Sequence, residues 1–477
     1  MEQGNQISKG KIGIFSLVFF VVAGASPLTG LVGGMPIAIL SGNGAGVPGI
    51  YILSGLILLL FSIGFITMSR YISNSGAFYA YISVGLGRKL GVSGLGLAIL
   101  TYVAIELAIV AMFGMFTQIF FNAYIGFDLP WWVYSIAMLL VVCLLGIERI
   151  EIGGRVLGLL MLLEVGIAFI IAAVAVIDTA QRGALDFTSF SPSIIFSGNV
   201  GITLVFGLAG FIGFEATAIY TEECRNPERT VPVATIIAVL LITVFFTFCS
   251  WAMIQPFGAD AVQAEVAKDP SLFVFNIGEH YFGKWIVVLI NFLLITSLFA
   301  ATQSFHNNIA RYFYNMARDG IFWSKLAAIH PNKFTPYMAS IWQTITMVAI
   351  VAVLAILKQD PMVDIFTWGS TIATMSILVL QILVSSAVIN YFQNNTHLQQ
   401  SPWKVLWIPI LASIGMLIAL WIVMSNLHEI SGLTSNWVYL IPALVFGSAI
   451  FGYVYAVILK KLRPAIFTKL DEIMKHI

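Results

Sequence analysis

The chain has 477 residues, 59% of them hydrophobic and only 9% charged, where soluble globular domains carry about 25% charged residues. A chain this apolar cannot hide its surface from water, so its solvent is lipid. The net charge of +1 gives no field for nucleic acid, which is set aside as a partner.

A helix crosses a hydrocarbon core in about 20 apolar residues, and stretches of that length follow one another between short polar turns. Twelve transmembrane helices are predicted, beginning near residues 12, 48, 92, 130, 154, 199, 231, 284, 337, 362, 403 and 436. The first is preceded by Lys9 and Lys11 and runs on without an AxA-like cleavage site, so it is expected to be retained rather than removed as a signal peptide. It contains the run Ala23-Gly-Ala-Ser-Pro-Leu-Thr-Gly-Leu-Val-Gly-Gly34, which a continuous helix would avoid. Trp131 and Trp132 at the fourth span, Trp285 at the eighth and Trp437 at the twelfth fall where an aromatic belt belongs. The sixth span carries a second interruption, Phe206-Gly-Leu-Ala-Gly-Phe-Ile-Gly213. Loops are short apart from those near 178–198 and 255–283, so no soluble domain is expected between spans.

An even number of spans puts both termini on one side. Only Arg182, Lys268, Lys284 and Lys358 fall on the opposite face, so the positive-inside rule makes the face of the termini cytoplasmic. Cys143, Cys224 and Cys249 sit singly, with no CxxC spacing, which fits packing rather than zinc or disulfides.

The two interrupted spans are five apart. Five is odd, so the halves they belong to run in opposite senses through the membrane, as inverted repeats do, with paired broken helices marking a substrate site. Taken singly, each glycine run reads equally as a device for close helix packing. Unwinding at mid-membrane frees backbone groups that must line a cavity or be buried in protein. At the first break the N–H groups around Thr29 and Gly30 suit a carboxylate, and the carbonyls near Gly24 and Ala25 suit an ammonium group. At the second, the carbonyls of Phe206 and Gly207 add to the ammonium site and Phe211 covers it. A zwitterion satisfies both sets.

Three segments carry a resemblance to a known family. They are Ser73-Asn-Ser-Gly-Ala-Phe-Tyr-Ala-Tyr81 with Gly85-Leu-Gly-Arg88; Gly210-Phe-Ile-Gly-Phe-Glu215 through Glu222-Glu-Cys-Arg-Asn-Pro227; and Phe305-His-Asn-Asn-Ile-Ala-Arg-Tyr312 with Ala317-Arg-Asp-Gly320. Together they resemble the amino acid–polyamine–organocation transporters, of the bacterial amino acid permease type. The resemblance implies an all-α integral membrane fold with a five-plus-five inverted repeat, broken helices 1 and 6, and two extra C-terminal helices. The corresponding division is a tail at 1–11, a first repeat at 12–178, a second at 199–392, two further helices at 403–460 and a tail at 461–477. Two departures stand out. Ser26-Pro-Leu-Thr-Gly30 replaces a pattern close to Gly-x-Gly-Ser-Gly, and Ala209 stands where several members place an aromatic gate, leaving Phe211 or Phe206 to gate instead.

Four ionisable residues fall inside apolar spans: Glu106, Glu164, Glu215 and His306. A central acid costs about 2.5–3.5 kcal/mol to insert, so each needs a reason. Glu215 follows the second break by a turn and resembles the family acid associated with conformational coupling; it is expected to sense protons or to bond exposed backbone. Glu164 aligns with a lysine that in some relatives fills a sodium-like site between spans 1, 5 and 8, and can hold a proton, help hold a cation, or pack as a neutral acid. Glu106 faces either the substrate, favouring a cationic amino acid or diamine, or a neighbouring helix. His306 follows Phe305, whose position resembles a substrate-stacking aromatic, and is expected to be a hydrogen-bonded strut. Arg311, Arg318, Glu222, Glu223 and Arg225 close an inner gate or simply set topology.

The expected substrate-site residues are therefore Ala25, Ser26, Thr29, Gly30, Phe206, Gly207, Ala209, Phe211, Glu106 and Phe305, with Glu164 and Glu215 as coupling residues. An integral-membrane enzyme would need clustered catalytic groups, whereas the six His are scattered. A channel would need rings of charge or carbonyls and no paired breaks, and a sensor would need an output domain. The expected function is secondary active transport of an amino acid or amine across the plasma membrane, the inner membrane of a bacterium. It proceeds by alternating access coupled to H⁺, with Na⁺ as the alternative ion. A polyamine or cationic amino acid exchanger is the alternative carrier. No cofactor or metal is implied, and the oligomeric state is left open.

Overall fold

The computed structural model describes residues 12–72, 78–148, 153–221, 224–433 and 436–464, with the backbone alone at 153–158. Among the described residues the chain is helical throughout, and its one β-type contact is an isolated bridge between Ile12 and Cys224. Eleven helical segments are long and apolar enough to cross a membrane.

The first of these, Ile14–Ser69, has 56 residues. At 1.5 Å per residue a straight helix of that length would be about 84 Å long, against a hydrocarbon core of about 30 Å. It is not straight. Ser26 is left-handed at φ 44, ψ 69, Gly42 is non-helical at φ −96, ψ −125, and Gly44 has φ 60. These points divide it into α1 (Ile14–Ala25), α2 (27–43, alternating α and wider turns) and α3 (Val47–Ser69). The whole of Ile14–Ser69 counts as one of the eleven long segments.

Further helices include α4 (Phe78–Leu86), α5 (Arg88–Ile125), α6 (Trp131–Glu148), α7 (Gly153–Gln181), α8 (Val200–Ala209) and α9 (Pro227–Ile254). They are followed by α10 (Lys284–Arg318), α11 (Tyr337–Ile356), α12 (Thr367–Asn394), α13 (Ile408–Ser425) and α14 (Leu440–Leu462). Starts expected from hydropathy lie close to these, the largest gaps being 362 against Thr367 and 403 against Ile408.

Helix ends follow local chemistry. Asp360 caps the turn leading into α12 by accepting from the N–H groups of Met362 (2.8 Å) and Val363 (2.7 Å). Asn199 caps α8 through Ile202 N–H at 3.1 Å. The long loop after α7 is pinned to the bundle, because Trp251 Nε1 and Gln255 Nε2 both donate to the Asp186 carbonyl at 2.9 Å.

Burial separates a central layer from a lipid-facing one. The segment Val200–Ala218 is 83% buried along its apolar window and α5 72%, against 22% for α6 and for Asn436–Leu462. Trp132, Trp285 and Trp437 are exposed at helix starts. Glycine lets the outer α14 approach α5 closely: a Cβ on Gly96 would lie 2.7 Å from the Ser448 carbonyl oxygen. The most buried windows thus belong to the second interrupted segment, to α5 and, at 67%, to Pro361–Asn394, with Ile14–Ser69 at 56% and α10 at 50%.

Candidate substrate site

The first break is one residue wide. Pro27 disfavours the right-handed helical conformation at the residue before it, and Ser26, which is buried, turns left-handed. The hydrogen-bond ladder shortens there, with Ser26 N–H donating to the Ala23 carbonyl at 3.2 Å. Strain of this kind costs about 1–3 kcal/mol and persists where neighbours over-determine it. Those neighbours are present: Ser26 Oγ lies 2.5 Å from Thr29 Oγ1 and 2.7 Å from Ser297 Oγ on α10. Ser297 in turn faces the buried carboxyl of Glu164 on α7. Glu164 is thereby joined to the first break across α1, α7 and α10.

The second break spans Gly210–Gly213, where α8 gives way to tight turns: Phe211 N–H donates to Leu208 and Ile212 N–H to Ala209, both at 3.0 Å. Gly213 has φ 112, open only to glycine at low cost. Its N–H donates to Glu215 Oε2 at 3.0 Å, and Glu215 Oε1 accepts from the Tyr102 hydroxyl of α5 at 2.8 Å. The buried acid therefore takes up the backbone group that the break frees.

The breaks abut one another. A Cβ on Gly213 would lie 3.8 Å from the Gly24 carbonyl carbon, 3.9 Å from Ala25 N and 3.6 Å from Phe305 Cζ. Phe246 of α9 is wedged against both, because a Cβ on Gly30 would come within 2.6 Å of its ring and one on Gly210 within 3.0 Å. That ring stacks on Tyr51 of α3 at 4.8 Å between centroids. Phe206 lies against Gly34 and stacks on Phe366, just before α12, at 5.6 Å. Phe211 is buried with its ring 6.5 Å from Phe246, and Phe305 lies 5.8 Å from Tyr102. Aromatic rings line the paired breaks, and the acid there, Glu215, is engaged by Tyr102 and Gly213.

Of the expected site residues, Ala25, Ser26, Thr29, Gly30, Phe211 and Phe305 gather at the breaks, with Phe206 and Ala209 on the turn leading into the second. Gly207 faces α3 instead, beside Ser54 and Ile50. Glu106 also looks elsewhere: Oε2 accepts from Gln343 Nε2 of α11 at 2.6 Å, and Oε1 lies 3.6 Å from His306 Nδ1 of α10. His306 Nε2 is 2.8 Å from Ser340 Oγ, the strut-like bond expected of it. Tyr102, Phe246 and Ser297 were not expected. Phe246 lies in an aromatic run with Phe245 and Phe248, and nothing in the sequence distinguishes it.

Toward the α10 C-terminus, Arg311 lies over the Tyr220 ring at 4.5 Å, and Tyr220 stacks on Phe20 of α1 at 5.8 Å. Arg318 pairs with Asp319 at 3.5 Å, and Arg225 N–H donates to the Ile12 carbonyl at 3.0 Å. Glu222, Glu223, residues 73–77 of the glycine-rich motif, Lys9, Lys11 and the tails at 1–11 and 465–477 lie outside the described residues.

The family model for amino acid permeases matches residues 16–463. The chain belongs to that family. The permease is 24% identical over 456 residues to the branched-chain amino acid permease BcaP of Bacillus subtilis, covering 88% of this chain and 89% of that one. It is 23% identical over 317 residues to the low-affinity putrescine importer PlaP of Escherichia coli, covering 65% and 67% respectively. Among solved structures, the crystal structure of the Eremococcus coleocola manganese transporter superposes with a TM-score of 0.56 at 13% identity, covering 98% of the permease and 99% of that chain. This last likeness concerns the fold alone. The resemblance to the amino acid–polyamine–organocation superfamily therefore holds over nearly the whole permease, and the chain is a multi-pass membrane transporter.

Proposed function

We propose that the permease carries a neutral amino acid with an apolar side chain, bound as a zwitterion between the two breaks. The observation that carries this reading is the closeness of Gly213 to Gly24 and Ala25, which a single added Cβ would touch and which puts two interrupted backbones side by side. Substrate then replaces bonds that the breaks make within themselves: the Gly30 N–H, which donates to the Ser26 carbonyl at 3.2 Å, turns to its carboxylate, and the Phe206 carbonyl, which accepts from the Gly210 N–H at 3.2 Å, turns to its ammonium group. The walls select the side chain. Phe206, Phe246 and Phe305 offer apolar surface, and the one acid at the second break, Glu215, is already bonded twice. The name of the branched-chain relative, matched over 88% of this chain, agrees with such a substrate.

In this reading the segment Ile14–Ser69 crosses twice, giving twelve helices with cytoplasmic termini in a plasma membrane. The stretches 12–178 and 199–392 form inverted five-helix repeats, and 403–460 adds two helices. Alternating access moves the broken segments against α5 and α10. Protons drive the cycle, with Glu215 registering the state of the second break and Glu164 that of the first through Ser297 and Ser26.

The test is thermal stability of the purified permease against neutral, acidic and basic amino acids and putrescine, at two pH values, with and without Na⁺. A ligand at a hundred times its dissociation constant stabilises by about 2.7 kcal/mol. Stabilisation by leucine, isoleucine or valine, stronger than by arginine, lysine or putrescine, is expected. Stabilisation by putrescine or arginine alone would make this a carrier of cationic amines instead.

A further inference from the structure

Beside the breaks, three uninterrupted helices enclose a second polar cluster that the proposed substrate path does not use. Glu106 of α5 and His306 of α10 are both fully buried, and Gln343 and Ser340 of α11 hold one end of each. Three of the cluster's atoms have no hydrogen-bond partner: Glu106 Oε1, His306 Nδ1 and Gln343 Oε1. The first two face one another at 3.6 Å.

Neutral amides suffice where a cluster only joins helices. An acid and an imidazole are costly choices inside a membrane and mark function by default. Gln343 fixes Oε2 as an acceptor, so a proton on Glu106 belongs on Oε1, which faces Nδ1. One proton then serves both atoms, as an O–H at Glu106 or an N–H at His306, and its loss to water leaves the pair one negative charge.

Two other buried acids adjoin these helices and each has its own partners: Glu215 is bonded to Tyr102 and Gly213, and Glu164 of α7 faces Ser297, nine residues before His306 on α10. On α5, Tyr102 is bonded to Glu215. On α10, Arg311 and Arg318 lie over Tyr220 and Tyr314 toward the helix end, and Tyr312 lies beside Tyr102. On α6, Cys143 Sγ is 4.0 Å from Ser340 Oγ, and Glu148 is exposed and paired with Lys333. The helices α11 and α12 contain no Asp, Glu, Lys, Arg or His. Asp364, on the turn that packs further along α5, accepts from the Asp360 N–H. Residues Tyr79 and Tyr81 of α4 and Lys460 and Lys461 of α14 belong to elements that pack on the opening turns of α5.

We propose that Glu106 and His306 form an intramembrane site that binds one proton, and that substrate at the breaks changes its affinity. The link rests on the proposed function and on two pairs of neighbours. Tyr102 and Glu106 are one turn apart on α5, Phe305 and His306 are adjacent on α10, and the ring of Tyr102 meets that of Phe305 at 5.8 Å. Phe305 also borders Gly213. A substrate pressing on Phe305 moves His306 against Glu106, and by linkage the proton acts back on substrate affinity by the same factor.

The site is tested first without substrate, by infrared difference spectra of the permease in liposomes through a pH titration. A carboxylic C=O band that appears with acid in wild type is expected to be absent in Glu106→Gln. Its midpoint should move by about one pH unit, a tenfold change in proton affinity, in His306→Asn. Identical spectra in wild type and Glu106→Gln, or an unmoved midpoint in His306→Asn, overturn the proton site. The link is tested by accumulation of L-leucine against a gradient of one pH unit, where loss of one coupled proton in Glu106→Gln lowers the ratio by about tenfold. An unchanged ratio overturns the link, and loss of leucine binding in Glu106→Gln assigns the acid to the substrate instead. If leucine and the other amino acids and amines neither bind nor move in wild type, the proposed function falls while the spectra still decide the proton site.

Discussion

The hydroxyl of Tyr102 donates to Glu215 at 2.8 Å, so a side chain from an unbroken helix holds the acid that holds the second break. Glu215 spends its other oxygen on the Gly213 N–H. Removing the hydroxyl in Tyr102→Phe leaves a fully buried carboxyl short of one donor, which costs about 1–3 kcal/mol. A lowered thermal unfolding temperature is expected, with transport reduced more than substrate binding, because the break is loosened rather than removed. An unchanged unfolding temperature would mean that Glu215 does not depend on α5.

Gly213 tests the backbone itself. Its φ of 112 is open to alanine only at a cost of about 1–3 kcal/mol, whereas the added Cβ would find ordinary contacts at 3.6–3.9 Å. Gly213→Ala therefore acts through conformation, not crowding. The affinity for leucine, read from thermal shifts, should fall by about tenfold, equivalent to about 1.4 kcal/mol. Retained affinity would remove the second break from the site.

Gly30 tests the wall. A Cβ there would meet the Phe246 ring at 2.6 Å, and the ring is itself backed by Tyr51. Gly30→Ala is expected to destabilise by about 1–3 kcal/mol as an overpacked core does. Phe246→Leu should restore part of that loss in the double variant, a coupling of about 0.5–3 kcal/mol in a double-mutant cycle. Additive effects would show that the two residues do not share the space between the breaks.

The spans were legible because hydropathy has a length scale set by the bilayer, and both breaks were legible because Ser26-Pro27 and Gly210 to Gly213 violate helix chemistry locally. What stayed hidden depends on which helices become neighbours. Glu106 stands out in the sequence as an acid among apolar residues, yet its direction follows from Gln343, far along the chain on α11. Phe246 is one phenylalanine among several, and only the missing Cβ atoms of Gly30 and Gly210 show why this ring sits between the breaks. The long segment Ile14–Ser69 belongs with what was legible, since a second span was expected from near residue 48 and a new helix begins at Val47, after the backbone leaves helical geometry at Gly42 and Gly44.

The end of the bundle that carries Arg311 supplies the last prediction. Arg311 lies over Tyr220, Tyr220 stacks on Phe20, and the neighbouring Cys224 is buried behind the Ile12 backbone. A cation–π contact contributes about 0.5–2 kcal/mol, so its loss shifts a closed-to-open equilibrium by about two- to thirtyfold, since 1.4 kcal/mol is a factor of ten. In a Cys143→Ala, Cys249→Ala background, Arg311→Gln should raise the rate at which a maleimide labels Cys224, and Arg311→Lys, which keeps the charge over the ring, should raise it less. Substrate that stabilises the closed form should slow the labelling again. Equal rates in all three proteins would show that Arg311 and Tyr220 do not restrain this end, and would leave the arginine to set membrane topology alone.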